Sequence, residues 1–254
     1  MASNAAVAKQ GLVIPAAGSR QQSGPILICV YASALNMLHW TSASILTLAI
    51  QLIDFSQFLS GNPQERQSAA REILHGFQTA GFIYLKNHLI PSDVIQRTFA
   101  RSADFFALDD EVKLKLNWTT PESNRGYSAP GREKVSLSLD MDEVSKSRNA
   151  APDLKESLEI GRDADTKFPN KWPNEDDVTS LRGFRTDMVD FFERCQALHV
   201  EVMRAIALGM GLGQDFFDQR VNVGDNTLRL LHYPGVKADV FKLNPGQVRA
   251  GEHS

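Results

Sequence analysis

The sequence predicts an α+β chain, on three observations. Between residues 50 and 107 short apolar runs alternate with amphipathic stretches, giving strand, helix, strand, helix. From Glu175, the residues Val178, Leu181, Phe184, Met188, Phe191, Cys195, Leu198, Val202 and Ile206 recur at three and four positions, the spacing of one long helix. After it, Thr227-Leu228-Arg229-Leu230-Leu231-His232-Tyr233 reads as a strand closed by Pro234-Gly235.

The chain has 254 residues, 43% hydrophobic and 22% charged, enough apolar material for one large domain or two small ones and unlike a disordered or collagenous protein. Its 27 basic and 30 acidic residues give a formal net charge of -3, with no basic excess to neutralise phosphates, so no nucleic-acid partner is expected. Two cysteines, Cys29 and Cys195, make neither a disulfide framework nor a Cys-rich zinc site, and a cytoplasmic location is expected.

The amino terminus breaks this pattern. No Asp, Glu, Lys or Arg occurs from Gln21 to Ile53, and the apolar run through Ile26-Leu27-Ile28-Cys29-Val30 and Ile45-Leu46-Thr47-Leu48 is long enough to span a bilayer. Three readings stay open: a membrane anchor through residues 25–50 behind Lys9 and Arg20, translated sequence foreign to the native protein, or a helix buried against the domain. Against the first, Asn36, His39, Thr41, Ser42 and Ser44 interrupt the run. Residues 1–49 therefore stand as a separate segment.

From Gln51 the elements follow in order. Gln51-Leu52-Ile53-Asp54-Phe55 is a short strand, and Asn62-Pro63 supplies a cap and a first-turn proline for a helix through Ala80, stopped by Gly81. Phe82-Ile83-Tyr84-Leu85 reads as a buried strand, and Pro91-Ser92-Asp93 opens a second helix carrying Val94, Ile95, Phe99 and Phe105-Phe106. Asp109 caps a short helix with Val112, Leu114 and Leu116, and Trp118 to Pro130 is a loop. Residues 132–173 show little periodicity beyond strands at Val135 to Leu139 and Ser157 to Ile160. The long helix ends near Gly209 to Gly213, a short helix follows around Asp215 to Val221, and Gln247 to His253 begins a last strand.

Among six histidines, His199-Val200-Glu201 has the His-x-carboxylate form, but inside a helix positions two apart diverge by about 200° and cannot share an ion. It reads as a pair on the helix surface, and His75 and His88 as structural. His253 differs: it lies in a strand pattern, where positions two apart share a face and a ligand, and its partner would be residue 255.

Taken as an ordered set, Leu52-Ile53-Asp54-Phe55, Gly81 to His88, Asn124-Arg125-Gly126-Tyr127, Lys155 to Gly161, Leu228 to Pro234 and Gly251-Glu252-His253-Ser254 closely resemble the isopenicillin N synthase-like Fe(II)/2-oxoglutarate-dependent dioxygenases. The resemblance covers about residues 50–254 and none of 1–49, which favours the foreign-sequence reading of the apolar run. It implies an amino-terminal helical region (50–173), a long and a short helix supporting the barrel (174–225), and the first strands of a double-stranded β-helix, or jelly roll, that is truncated here (226–254). The cofactors it implies are Fe(II), held by a His-x-Asp…His facial triad, and 2-oxoglutarate. His253 matches the first ligand of that triad, and Tyr233 matches the tyrosine that often binds the far carboxylate of 2-oxoglutarate, although Leu231 stands where relatives often carry Asn. Arg125 and Arg229 are substrate-side residues or structural ion pairs. The Asp, the second His and the Arg-x-Ser motif have no match within the 254 residues, so neither cofactor is expected to bind stably and no turnover is expected from this chain alone.

Two functions are weighed on this reading. One is a fragment of an oxidoreductase that hydroxylates, desaturates or cyclises a small organic molecule. The other is a non-catalytic binding module, membrane-anchored through residues 25–50. An unfinished barrel would also leave strand edges open to aggregation or partner capture.

Overall fold

A computed structural model describes residues 50–120, 122–131, 153–237, 239–243, 247 and 249, together with the backbone of two short strands nearer the amino terminus. The Val135 to Leu139 strand and His253 lie outside the described residues, as do residues 30–49. Two compact units emerge, residues 1–98 with 186–228 and residues 99–185 with 229–254.

In the first unit, β1 (Gly11–Leu12) and β2 (Ile26–Cys29) precede β3 (Gln51–Asp54), α1 (Ser56–Ser60), α2 (Pro63–Thr79) and β4 (Phe82–Lys86). Here β3 runs parallel to β4 with Asp54 opposite Lys86, and β2 runs antiparallel to β4 with Ile28 opposite Ile83. The helical reading of the apolar run therefore fails at Ile26–Cys29, where alternating β-branched residues add a strand to β4. Among the described residues no helix is long and apolar enough to cross a membrane.

The start of α2 follows from its sequence. Asn62 accepts hydrogen bonds from the backbone of Gln64 and Glu65 (3.0 Å each), while the Glu65 carboxylate accepts from the Asn62 backbone at 2.9 Å, closing a capping box ahead of Pro63. Ala69, Ala70 and Ile73 bury one face of the helix, and Gly76 lets it approach β4 so closely that a Cβ there would meet Ile83 at 2.4 Å. Strand β4 is buried on one face rather than on both: Ile83 and Leu85 are buried, whereas Phe82 is exposed. The strand ends at Asn87, whose backbone is left-handed (φ 53°) and whose amide donates to both oxygens of Asp54 at 3.0 Å. Ser56 also donates to Asp54 at 2.6 Å, and these hydrogen bonds hold the Asp54 carboxyl below its usual range.

Helix α3 (Ser92–Phe106) begins as predicted, and α4 (Asp110–Leu114) follows, although the Asp109 side chain makes no capping bond. The long helix α5 spans Phe184–Gly209 rather than beginning near Glu175. The reason is local. Glu175 folds back so that its carboxylate accepts from the backbone of Gly183 at 2.7 Å and Arg185 at 2.9 Å, and Gly183 takes a positive φ of 82° between a short 3-10 turn (Thr179–Leu181) and the helix. Near its far end Gly209 crosses α2, where a Cβ would lie 2.6 Å from the Ala70 carbonyl. Beyond it the predicted short helix is confined to α6 (Asp218–Val221), tied back by Arg204, which donates to Asp218 at 2.7 Å and to Glu201 at 2.6 Å.

Strand β7 (Thr227–His232) runs through the division between the units: Thr227 and Leu228 pair with β1, and the strand also neighbours β6 (Glu156–Ile160), which pairs antiparallel with β5 (Gly126–Ser128). Strand β5 falls inside the stretch read from sequence as a loop. A final short helix, α7 (Asp239–Leu243), follows, and Arg249 lies in a bend rather than in the predicted last strand.

The capping box gives a measurable expectation. Asn62→Ala should lower stability by about 1 kcal/mol, which for a chain of this size is roughly 2–4 °C in Tm, while Asn62→Asp should leave the thermal midpoint close to that of the native protein.

Candidate functional site

The second unit holds two buried carboxylates on one strand. Every residue of β6 is buried, and Glu156 and Glu159, three positions apart, point to opposite faces of it. A strand covered on both sides is ordinarily apolar, so each carboxylate needs donors of its own.

On one face, Glu156 accepts from the Tyr127 hydroxyl, from Lys113 Nζ at 3.0 Å, and pairs with His232 Nδ1 at 2.7 Å. Phe106 stacks on the His232 ring with centroids 5.2 Å apart, and Lys113 also reaches Asp110 at 3.0 Å. Burial pushes the Glu156 carboxyl upward, but the hydrogen bonds from Tyr127, His232 and Lys113 outweigh it and hold the group below the usual carboxylate range. Lys113 behaves conversely: burial pulls it down, and the bonds to Glu156 and Asp110 more than offset that. Tyr127 is raised by burial and by the neighbouring Glu156, so its phenol stays protonated and donates.

On the other face, Glu159 accepts from Arg229 Nε at 2.7 Å and Ser157 Oγ at 2.8 Å through one oxygen, and from Trp118 Nε1 at 2.9 Å through the other. The indole N–H is shared with the Gly126 carbonyl at 3.1 Å. Burial lowers the pKa of the Arg229 guanidinium.

The segment before β5 is built around Arg125. Asn124 and Gly126 both have positive φ (45° and 107°), and a Cβ on Gly126 would meet the Leu116 carbonyl at 2.3 Å. The Arg125 guanidinium lies over Gly161, where a Cβ would be 1.9 Å from its central carbon. It donates to the Asn124 carbonyl at 2.9 Å and stands 3.9 Å from Asp165. With only 4% of its surface exposed, Arg125 is an enclosed residue.

Of the residues singled out from sequence, Arg229 lies on β7, on the face opposite the buried Leu228 and Leu230, and Tyr233 follows directly after the strand. Tyr233 is 37% exposed, and its carbonyl accepts from Arg249 at 3.3 Å. Arg125 is placed beside Gly161 rather than on β7, and His253 lies outside the described residues. His199 and Glu201 do not converge, as expected: Glu201 binds Arg204, and His199 Nδ1 lies 3.4 Å from Asn226. The surface placement of His199 is corrected, however, because its Nε2 is buried and burial lowers its pKa. Among the described residues no group of three or more His, Cys, Asp or Glu is arranged to hold a metal ion.

Sequence reasoning missed Glu156, Glu159, Lys113 and Trp118. The available signal was Lys155-Glu156-Ser157-Leu158-Glu159-Ile160, in which two carboxylates three apart fall on both faces of a predicted strand and so require donors from both sides.

A family profile described as non-haem dioxygenase in morphine synthesis N-terminal matches residues 50–175. A protein of Neurospora crassa, solved full-length in complex with alpha-KG and thymine, superposes with a TM-score of 0.71 and 60% identity over 80% of this chain and 61% of its own. A carboxy-terminally truncated form of the same fungal protein, solved in apo form, gives a TM-score of 0.63 and 48% identity over 80% of this chain and 70% of its own. The 2-oxoglutarate-Fe(II) type oxidoreductase ppzD of Metarhizium rileyi is 36% identical over 207 residues, which is 81% of this chain and 57% of that protein. The chain belongs to the Fe(II)/2-oxoglutarate-dependent dioxygenases, oxidoreductases that use non-haem iron and 2-oxoglutarate. Its α+β architecture is theirs, helices followed by a jelly roll, and it spans about three fifths of the length of the ppzD relative.

Acid sensitivity should trace to Glu156. A carboxyl whose folded pKa is depressed contributes stability above its unfolded value, about 4.5, and loses that contribution as pH falls through the lower folded value. Glu156→Gln should cost about 3 kcal/mol at neutral pH, because Lys113 loses a buried counter-ion, and should flatten the fall in stability below about pH 5. Urea titrations between pH 3 and 7 measure both; equal acid slopes in the two proteins would remove Glu156 from this role.

Proposed function

We propose that this chain supplies the amino-terminal region and first barrel strands of an enzyme that oxidises a small heterocyclic molecule carrying carbonyl oxygens, with thymine or a similar pyrimidine as the substrate class. The observation that carries the reading is the Arg229 and Glu159 pair, with Tyr233 directly after the strand that bears Arg229. Arginine has five donors and no acceptor, and its planar fork suits carbonyl or carboxylate oxygens. The 60% identity to the Neurospora crassa protein, which was solved with thymine, supports a pyrimidine over other carbonyl-bearing molecules.

In this proposal residues 50–173 are the amino-terminal region, 174–225 the helices that support the barrel, and 226–254 the first barrel strands. His253 is the first iron ligand, Tyr233 binds the far carboxylate of 2-oxoglutarate, and Arg229 faces the substrate, whereas Arg125, enclosed against Gly161, serves the frame of the site. When bound, Fe(II) and 2-oxoglutarate supply the oxidising power; this chain's part is to orient substrate and co-substrate. The 254 residues contain one of the three ligands that the family uses, so on their own they do not turn over.

Two assays test this. Full-length protein from its native source, supplied with Fe(II) and 2-oxoglutarate, should form succinate and an oxidised pyrimidine when thymine is added, and Arg229→Ala should lower kcat/KM for thymine by about tenfold or more. Succinate formation that ignores thymine and related pyrimidines would overturn the substrate class. The 254-residue polypeptide assayed alone should release no succinate above the background of free iron; turnover by it would refute the requirement for further ligands.

A further inference from the structure

The two buried carboxylates of β6 are paired differently, and the difference points to a second role. Glu156 has an enclosed cation, Lys113, both side chains being 6% exposed, beside the more open ring of His232 at 42%. At Glu159 only the carboxylate is sealed, at 1% exposure, while the side chain of Arg229 keeps 36% of its surface open. A fully enclosed ion pair repays its desolvation only where the remaining donors and acceptors are also bonded, as they are at Lys113 and Glu156. A sealed anion behind a half-open cation is instead the arrangement that aims the cation.

We propose that Glu159 is a positioning residue for Arg229, and that Ser157 and Trp118 hold Glu159 for this purpose. The proposal rests on the reading above that Arg229 faces the substrate. Arg229 Nε at 2.7 Å, Ser157 Oγ at 2.8 Å and Trp118 Nε1 at 2.9 Å are among the donors that converge on the carboxylate. Two of them fix the carboxylate independently of the arginine, one from its own strand and one from the segment before β5. The carboxylate in turn grips the guanidinium through Nε. Because the guanidinium is planar, fixing Nε fixes the direction of the two terminal nitrogens.

An arginine side chain otherwise carries rotamer freedom, which substrate would have to remove on binding. Anchoring it beforehand lowers that cost, so the effect falls on recognition of the oxygen acceptor that Arg229 meets. Binding of 2-oxoglutarate, assigned to other residues, is affected less. Glutamine cannot replace Glu159, because its amide has one acceptor oxygen and its NH₂ would face either the Trp118 or the Arg229 N–H.

The test uses full-length protein with Fe(II) and 2-oxoglutarate. Glu159→Gln should raise the KM for thymine by about tenfold, at least five times more than it raises the KM for 2-oxoglutarate, and Glu159→Asp should recover part of the loss. Trp118→Phe, which removes one donor and leaves the ion pair, should give a smaller rise of the same kind and covers the case in which the glutamine variant does not fold. Equal rises in both KM values, or a native KM for thymine in a folded Glu159→Gln protein, would overturn the proposal. The Arg229 Nε–H resonance, assigned by its loss in Arg229→Lys, provides a readout that needs no substrate. It should exchange slowly with water in the native protein and quickly in Glu159→Gln, and slow exchange in both would also overturn the proposal. If the native protein ignores thymine while this resonance responds as expected, the substrate reading fails and the positioning role stands.

Discussion

A strand that buries two carboxylates on opposite faces constrains everything packed around it. An uncompensated buried carboxylate costs several kcal/mol, so β6 is tolerable only if donors arrive from both sides, and the surrounding elements are arranged to bring them. Lys113 comes from α4, Tyr127 from β5, Trp118 from the segment between them, and Arg229 and His232 from β7. Apolar side chains pack among the same groups: Tyr127 of β5 against Phe105, Phe105 against Phe184, and Phe106 against His232 of β7. The polar network and the apolar core therefore specify the same arrangement, which is the condition under which a buried network selects one fold.

The peptide segments that resemble the family prove to be halves of physical contacts. Asp54, from the first, accepts both hydrogen bonds from Asn87, at the end of the second. Arg125 and Tyr127, from the third, meet Gly161 and Glu156 in the fourth. Arg229 and His232, from the fifth, meet Glu159 and Glu156, also in the fourth. Residues far apart in sequence belong together because neither half of such a contact is tolerable without the other: Gly161 must lack a Cβ because Arg125 fills its place.

Where the sequence was legible, the signal was local. Asn62-Pro63 with Glu65 marks the start of α2, and the three- and four-residue spacing marks α5, because capping and helical periodicity act within one or two turns. The start of α5 was misplaced since Glu175 reads as a helix opener but acts as its cap from eight residues away. Strand β5 was read as loop because three residues containing Gly126 carry no alternation of their own; its strand conformation comes from pairing with β6. The roles of Glu156 and Glu159 were hidden for the same reason. Burial of a charge is decided by donors from distant elements, which no local pattern contains. His253 was legible only through resemblance, because a single histidine near a chain end carries no geometry of its own.

The Arg229–Glu159 and His232–Glu156 pairs also lock the register of β6 against β7. As β6 runs back from Glu159 to Glu156, β7 runs forward from Arg229 to His232, the relation of antiparallel neighbours, and each step is three residues. An odd step puts the two pairs on opposite faces, so a slip of one residue would break both at once and send each carboxylate to the wrong side. Hydrophobic alternation alone could not set this register, because every residue of β6 is buried and both faces would accept apolar side chains. The charges therefore resolve an ambiguity that burial leaves. With the register fixed by His232 and Arg229, the enclosed Lys113 and Glu156 pair anchors the strand, and the half-open pair at Glu159 turns that rigidity toward the face of β7 that bears Arg229.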